Sequence, residues 1–310
     1  MPKSKKWDAL VVGELFFDEI LSGLQTLPRL GEEIFARKYC REVGGGAAIT
    51  ACGLSRLGKH VGVLGVVGHD GDWVIQRLNE WGVDTSLIER RAEVPTGLTV
   101  SVSTREDRAL FSYYGANEML GGCLRREDWL AHMSSARLVH LATSPDCKLD
   151  GRLIPRLKKV KTIVSLDVQF HMSWLTSPSN LRILRAVDIF FPNEVEAELV
   201  TGESGIHRVL RGLRGKRLKR VAVKRGGKGA ALTWDHREYS VDVYPVETED
   251  TTGAGDCFDA GFLFALLEGE DEQTCLQWGN ICGALSTREL GGLRGFPTHE
   301  HVLEALKGNE

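Results

Sequence analysis

Residues Val246–Glu270 read VETEDTTGAGDCFDAGFLFALLEGE. Gly253 and Gly255 permit a tight turn and a close approach of backbone to a ligand. From Ala254 to Leu267 the residues are almost all apolar, which predicts a buried helix. The start of such a helix leaves several backbone N–H groups without partners. Together with the helix dipole they form a site for an anion. Asp256 falls in the first turn and Asp259 one turn further on. With a phosphate resting on Gly253, Ala254 and Gly255, Asp256 would face the substrate beside it. It could then accept a hydroxyl proton as that oxygen attacks phosphorus. An Asp that only caps and charges the helix start is the plainer alternative. Asp259 is left a supporting or structural role.

Upstream of this helix, short runs rich in Val, Leu and Ile alternate with helical patterns. Residues 9–12, 61–67, 137–141, 162–166, 187–191 and 220–223 read as strands. Residues 47–57, 72–81, 127–133, 150–159 and 194–200 read as helices. Strands buried on both faces and separated by helices predict a three-layer α/β fold with a mostly parallel central sheet. Ligands in such folds sit at the carboxyl ends of the strands. Two segments break this rhythm. Residues 15–43 are polar and turn-rich. Residues 96–117 read as a hairpin turning at Arg105-Glu106-Asp107. They predict a small β-rich lid over the main domain of residues 1–14, 44–95 and 118–310. Residues 254–308 read as helical throughout, with Pro297 and Thr298 as stop and N-cap before the last helix.

Composition narrows the function classes. Of 310 residues, 42% are hydrophobic and 26% charged, ordinary for a globular protein. A net charge of -3 gives no reason to seek nucleic acid or a membrane surface. The seven cysteines lack CxxC spacing, which suits reduced thiols. Met-Pro-Lys-Ser-Lys-Lys leads straight into a strand-like run without a signal-type apolar region. No apolar run approaches the roughly 18 residues of a membrane helix. The expectation is a cytoplasmic protein.

Several motifs are excluded or bland. There is no GxxxxGK[ST] loop, and Gly44-Gly45-Gly46 lacks GxGxxG spacing and follows no first strand. A nicotinamide dehydrogenase is thereby disfavoured. The basic run Arg208–Arg220 reads as a solvated helix face. His299-Glu300-His301 lacks metal-site spacing, and Cys257 reads as packing.

With these residues quoted, a family resemblance stands out. DTTGAGDCFDAGF (Asp250–Phe262) and GGGAAITACGLSRLG (Gly44–Gly58) resemble the two signatures of the PfkB carbohydrate kinases, the ribokinase family. FPNEVEAELVTG (Phe191–Gly202), VAVKRGGKGA (Val221–Ala230) and GELFFD (Gly13–Asp18) are similar to further family segments, in the family's order.

The resemblance implies an ATP- and Mg2+-dependent kinase acting on a primary hydroxyl of a sugar or sugar-like molecule, with a nucleoside kinase as the alternative. A non-catalytic sensor on the same fold is the remaining reading. Asp256 would be the base, with Gly253, Ala254 and Gly255 as the anion hole. Asp18, Gly44, Gly45, Ile49, Asn117 and Gln169 would face the acceptor. Asn193, Lys224, Arg225, Gly226, Gly229, Thr251 and Asn280 would lie along the nucleotide. Glu196 would hold magnesium through water, and Asp250 and Thr252 a monovalent cation such as K+. The lid permits a homodimer.

Two departures concern the acceptor. Ile49 stands where the family usually has an Asn that bonds the sugar. Asp167-Val168-Gln169-Phe170-His171 replaces the frequent D-x-N-x-R. A buried hydrogen bond left unmade costs about 1–3 kcal/mol, so a standard ribose or fructose pose is not expected. An acceptor with fewer hydroxyls at that edge, or a nucleoside base near Ile49, would fit. Arg225, in place of the usual Leu, suggests an extra phosphate contact, and His171 is open between acceptor contact and core.

Overall fold

The computed structural model describes residues 5–104, 108–145, 152–169 and 171–308. Among these the strands are β1 (Trp7–Gly13), β2 (Phe16–Ser22), β3 (Lys38–Gly44), β4 (Val61–Leu64), β5 (Val66–Val67), β6 (Glu89–Arg90) and β7 (Gly97–Ser103). They continue with β8 (Arg108–Tyr113), β9 (Ala136–Ala142), β10 (Ile163–Asp167), β11 (Ile189–Phe190), β12 (Arg220–Lys224), β13 (Ala230–Trp234) and β14 (Arg237–Val241). The helices are α1 (Gly46–Arg56), α2 (Asp72–Glu80), α3 (Leu120–Cys123), α4 (Glu127–Ser134), α5 (Leu153–Lys159) and α6 (Met172–Leu175). They continue with α7 (Leu181–Ala186), α8 (Glu194–Thr201), α9 (Ile206–Gly215), α10 (Ala254–Glu268), α11 (Glu272–Ser286) and α12 (His299–Lys307).

The main sheet has the order β14-β13-β12-β11-β10-β9-β1-β4. The pairs from β12 to β4 are parallel, and β13 and β14 form an antiparallel edge. Alternation along β1 explains the layering. Ala9 and Val11 join one core with α1, α10 and α11. Leu10 and Val12 join the other with α4, α5 and α9. Each buried Val, Leu or Phe contributes about 1.5–3 kcal/mol, so both faces must be covered. From β1 the chain turns first to β4 and later to β9 on the opposite side. That reversal opens a crevice at the carboxyl ends of the strands.

A second sheet, ordered β3-β2-β7-β8, stands over this end. β7 and β8 pair antiparallel from Leu98 opposite Tyr113 to Ser103 opposite Arg108. The turn expected at Arg105-Glu106-Asp107 lies outside the described residues. So do Met1–Ser4, Asp150 and Gly151 of the expected helix 150–159, and Phe170. Asn117 ties the second sheet to the first. Its Oδ1 accepts from Leu15 N at 3.0 Å and its Nδ2 donates to Leu15 O at 2.9 Å.

Four elements differ from expectation. The run 61–67 breaks at Gly65, where a Cβ would stand 2.6 Å from Leu15 Cδ1, so β5 leaves the main sheet and pairs with β6. The run 187–191 is regular only at Ile189–Phe190. The hairpin of β13 and β14 was not expected; Asp235 makes its turn with a φ of 53° and no glycine marks it. Residues 254–308 are not continuous helix, because 287–298 form a loop between α11 and α12. Thr298 does cap α12, accepting from His301 N at 3.3 Å. No helix among the described residues is long and apolar enough to cross a membrane.

Candidate active site

Gly253 precedes α10 with a φ of 71°, a region that favours glycine. A Cβ there would also stand 2.7 Å from Ile49 Cδ1. The turn before it is held by Asp250. Its Oδ1 accepts from Thr252 N at 3.0 Å and Thr252 Oγ1 at 2.8 Å, and its Oδ2 from Gly291 N at 2.9 Å. The loop after α11 thus fixes the turn from behind. In the first turn of α10, Ala254 N donates to Thr251 O at 3.3 Å, and the helix dipole favours an anion at this end.

Asp256 lies in that first turn, and its Oδ1 accepts from Gln169 Nε2 at 2.9 Å. Burial, then the Asp167 carboxylate, push its pKa up to about 6, against the pull of Lys224. Across from it stands Asp18 on β2, only 8% exposed. Burial, then the negative charges of Asp256, Asp250 and Glu42, raise Asp18 to about 7.

The glycine triplet explains how these groups fit. The Asp18 carboxyl lies where a Cβ of Gly44 would be, and the Gln169 amide where a Cβ of Gly46 would be. Gly45 has a φ of 89° and lies against the Glu14 carbonyl. Glu14, at the end of β1, accepts from Tyr114 Oη at 2.6 Å and Thr143 Oγ1 at 2.7 Å. Tyr114 packs edge-on against Phe16 with ring centroids 6.1 Å apart. From β8, Arg108 Nη1 donates to the hydroxyls of Thr251 at 3.1 Å and Thr252 at 3.2 Å.

On the other side of α10, Asn193 caps α8. Glu196 N donates to Asn193 Oδ1 at 2.9 Å, and Asn193 N to Glu196 Oε2 at 2.8 Å. The plainer expectation of a solvated Glu196 does not hold, since the residue is 3% exposed. Gly226 and Gly229 have positive φ and close the turn between β12 and β13. Asn280 on α11 donates to the Asp242 carbonyl at 2.9 Å.

The pattern of a pfkB family carbohydrate kinase matches residues 10–299. The chain belongs to this family. It is an ATP-dependent carbohydrate kinase of the ribokinase fold. A 2-dehydro-3-deoxygluconokinase of Bacillus subtilis (strain 168) is 28% identical, over 97% of this chain and 96% of its own length. A nucleoside kinase of Methanothermobacter thermautotrophicus is 27% identical, over 95% and 94%. A crystal structure of an E. coli protein described as a putative ribokinase II, in complex with ATP and Mg2+, superimposes with a TM-score of 0.82 at 25% identity. It covers 97% of this chain and 99% of its own.

Within this PfkB chain several expected contacts are placed differently. Ile49, expected near the acceptor, is 3% exposed and packs behind Gly253, where helix α1 meets the turn. The Asn117 side chain is spent on the Leu15 backbone, so it braces the sheet junction instead of the acceptor. Lys224, expected along the nucleotide, has its ammonium buried against Asp167 and Asp259. Arg225, expected to add a phosphate contact, pairs its guanidinium with Glu194 on α8 at 3.3 Å. His171 is exposed at the start of α6 and faces the Glu14 charge.

Sequence reasoning missed Glu14, Gly46, Arg108 and Asp167. Glu14 stood in the quoted GELFFD, four residues before Asp18. Arg108 had no local signal, because its partner loop lies over 140 positions away.

Proposed function

We propose that the enzyme transfers the γ-phosphoryl group of ATP to a primary hydroxyl of a sugar or sugar-like acceptor. The observation that carries this is the pairing of Asp256, raised to about 6 and oriented by Gln169, with the anion-accepting start of α10. Asp18, against Gly44, grips an acceptor hydroxyl. Asp256 takes the proton from the attacking hydroxyl, and the first-turn amides receive the charge of the transferring group. The second sheet acts as the lid that excludes water, since water would otherwise be phosphorylated instead.

ATP fits along Arg225–Gly229 toward Asn280, and magnesium supplies charge neutralisation on the phosphates when bound with it. Glu196, a hard oxygen donor held rigid by the Asn193 capping box, would hold the ion through water. The side chains expected to hold K+ are engaged already: Asp250 on Thr252 and Gly291, Thr252 also with Arg108.

A nucleoside is the second reading, favoured by the Phe16–Tyr114 pair, on which a base could lie. ADP release with a panel of hexonic acids, ribose, fructose and nucleosides, with and without potassium, decides between acceptors. Lack of ADP release with every acceptor sinks the kinase chemistry proposed for this site and favours a sensor.

The outer strand β8 exposes Leu110, Phe111 and Tyr113. A second copy pairing there would cover them, which light scattering in solution tests. The six described cysteines are unpaired and buried, in keeping with a reducing cytoplasm.

A further inference from the structure

Beneath the catalytic turn lies a set of charges that the transfer chemistry above leaves unused. Lys224, the last residue of β12, places Nζ 2.5 Å from Asp167 Oδ2 and 3.2 Å from Asp259 Oδ1. A Cβ on Gly255 would stand 3.4 Å from that Nζ. The ammonium therefore lies directly against the first turn of α10. Carboxylate oxygens of Asp167, Asp256 and Asp259 come within 4.8 Å of one another. Behind them, His140 on β9 bonds Ser165 Oγ through Nδ1 at 2.9 Å. Its Nε2 has no hydrogen-bond partner among the described residues and sits 3.8 Å from Asp259 Oδ2.

Three carboxylates this close, Asp167 and Asp259 buried and Asp256 partly so, cannot all be ionised at low cost beside one ammonium. Burial drives Asp259 well above the usual carboxylate range. Burial also takes His140 down to about 4, so it is neutral. Burial works against the charges of Lys224 and Asp167, yet each holds the other ionised. One ion pair, Lys224 with Asp167, remains under Asp256, flanked by Asp259, whose burial favours the protonated form.

We infer that Lys224 and Asp167 act on phosphoryl transfer as a positioning pair: fixed opposite charges beneath Asp256 that set, in opposite directions, how readily it accepts the hydroxyl proton. This rests on the reading of Asp256 as the base. The groups facing Asp256 are Asp167 from β10, Lys224 from β12, Asp18 from β2, the neutral Gln169 amide, and Asp259 on its own helix. Glu196 from α8 faces Lys224, and His140 faces Asp167 and Lys224 from β9. Only Lys224 among them is a cation, so its loss and the loss of Asp167 must act with opposite sign.

The test is the pH profile of turnover for the full chain with Lys224→Met, Lys224→Arg, Asp167→Asn and Asp256→Asn. Lys224→Met is expected to move the acid limb up by about 1 unit and Asp167→Asn to move it down by about 1 unit. Acceptor KM is expected to change less than about twofold, because neither residue touches the acceptor. Lys224→Arg keeps the charge and returns the limb toward wild type. A merely structural pair would lower the melting temperature without splitting the limbs, and limbs that stay put or move together overturn the inference. If Lys224→Met does not melt cooperatively, the double variant Lys224→Met/Asp167→Asn takes its place. With both charges removed, its limb should lie above that of Asp167→Asn; coincidence of the two overturns the inference. Asp256→Asn separates the two readings. If it keeps near-wild-type turnover, the base assignment fails; if it loses turnover while the limbs do not split, only the positioning pair fails.

Discussion

Gln169 Nε2 and Asp256 Oδ1 are joined by a 2.9 Å hydrogen bond that links the end of β10 to the start of α10. Gln169 makes it from a left-handed backbone with a φ of 54°, unusual for a residue other than glycine. That strain persists because Gln169 N is also held by Asp167 Oδ1 at 2.9 Å. The bond leaves the second carboxylate oxygen of Asp256 for the attacking hydroxyl. Asp256→Asn should lower turnover by roughly 10²–10⁴-fold, the range for a general base. Gln169→Ala, which frees the carboxylate to rotate, should lower it by about tenfold. Single-turnover kinetics with retained acceptor binding check both.

Turnover should fall with acid as Asp256 takes up a proton. Burial and Asp167 raise its pKa to about 6, so the base is ionised above that value and lost below it. The acid limb of kcat should bend near pH 6. A limb bending near pH 4 would mean that Asp256 is not the titrating group.

Asp18 should destabilise the free protein at neutral and higher pH. Its folded pKa, about 7, lies above the unfolded value, so the native state binds the proton more tightly. Stability therefore declines as pH rises from about 4 through 7, and the deficit persists above that. Asp18→Asn should gain roughly 2–4 kcal/mol at pH 8 and far less at pH 4. Urea melts at the two pH values test the sign. The same variant should bind the acceptor more weakly, a loss expected where strain serves function.

Gly44→Ala should damage acceptor binding while sparing nucleotide binding. The added methyl would occupy the place of the Asp18 carboxyl. Acceptor KM should rise by about tenfold or more. An unchanged KM would show that Asp18 does not grip the acceptor.

Arg77→Met should loosen the lid from the core. Arg77 on α2 donates through Nε at 2.6 Å and Nη2 at 2.7 Å to Glu42 on β3, and Glu42 is 1% exposed. A buried carboxylate left with no partner costs about 3–5 kcal/mol; Arg294 Nε still lies 3.9 Å from Glu42 Oε2 and Arg77 is partly exposed, which brings the expected loss nearer 2–3. A change below about 0.5 kcal/mol in chemical melts would show that the pair contributes nothing.

Much of the fold was legible because parallel strands covered on both faces leave continuous apolar runs, as in β1, β9 and β10. β13 and β14 were not, because their turn at Asp235 lacks a glycine and β14 is largely exposed. The catalytic turn was legible from Gly253 to Asp256, where backbone geometry restricts the residue types. The burial of Ile49 was not legible, for a physical reason. Its position in the chain suggested acceptor contact, but its direction from α1 depends on how that helix packs on Gly253. Lys224 was likewise assigned to the nucleotide, because no local pattern announces two carboxylates arriving from β10 and α10. Contacts made across such distances are set by topology, which short motifs do not carry.

Asp18 stands on the small sheet, whereas Asp256 stands on the core, and Asn117 braces the joint at Leu15. The acceptor is thus measured as an object is between the jaws of a caliper. The opening of the jaws, and not only their lining, decides how long a molecule reaches both carboxylates. Changes at the joint can therefore alter the choice of acceptor without replacing any atom that touches it.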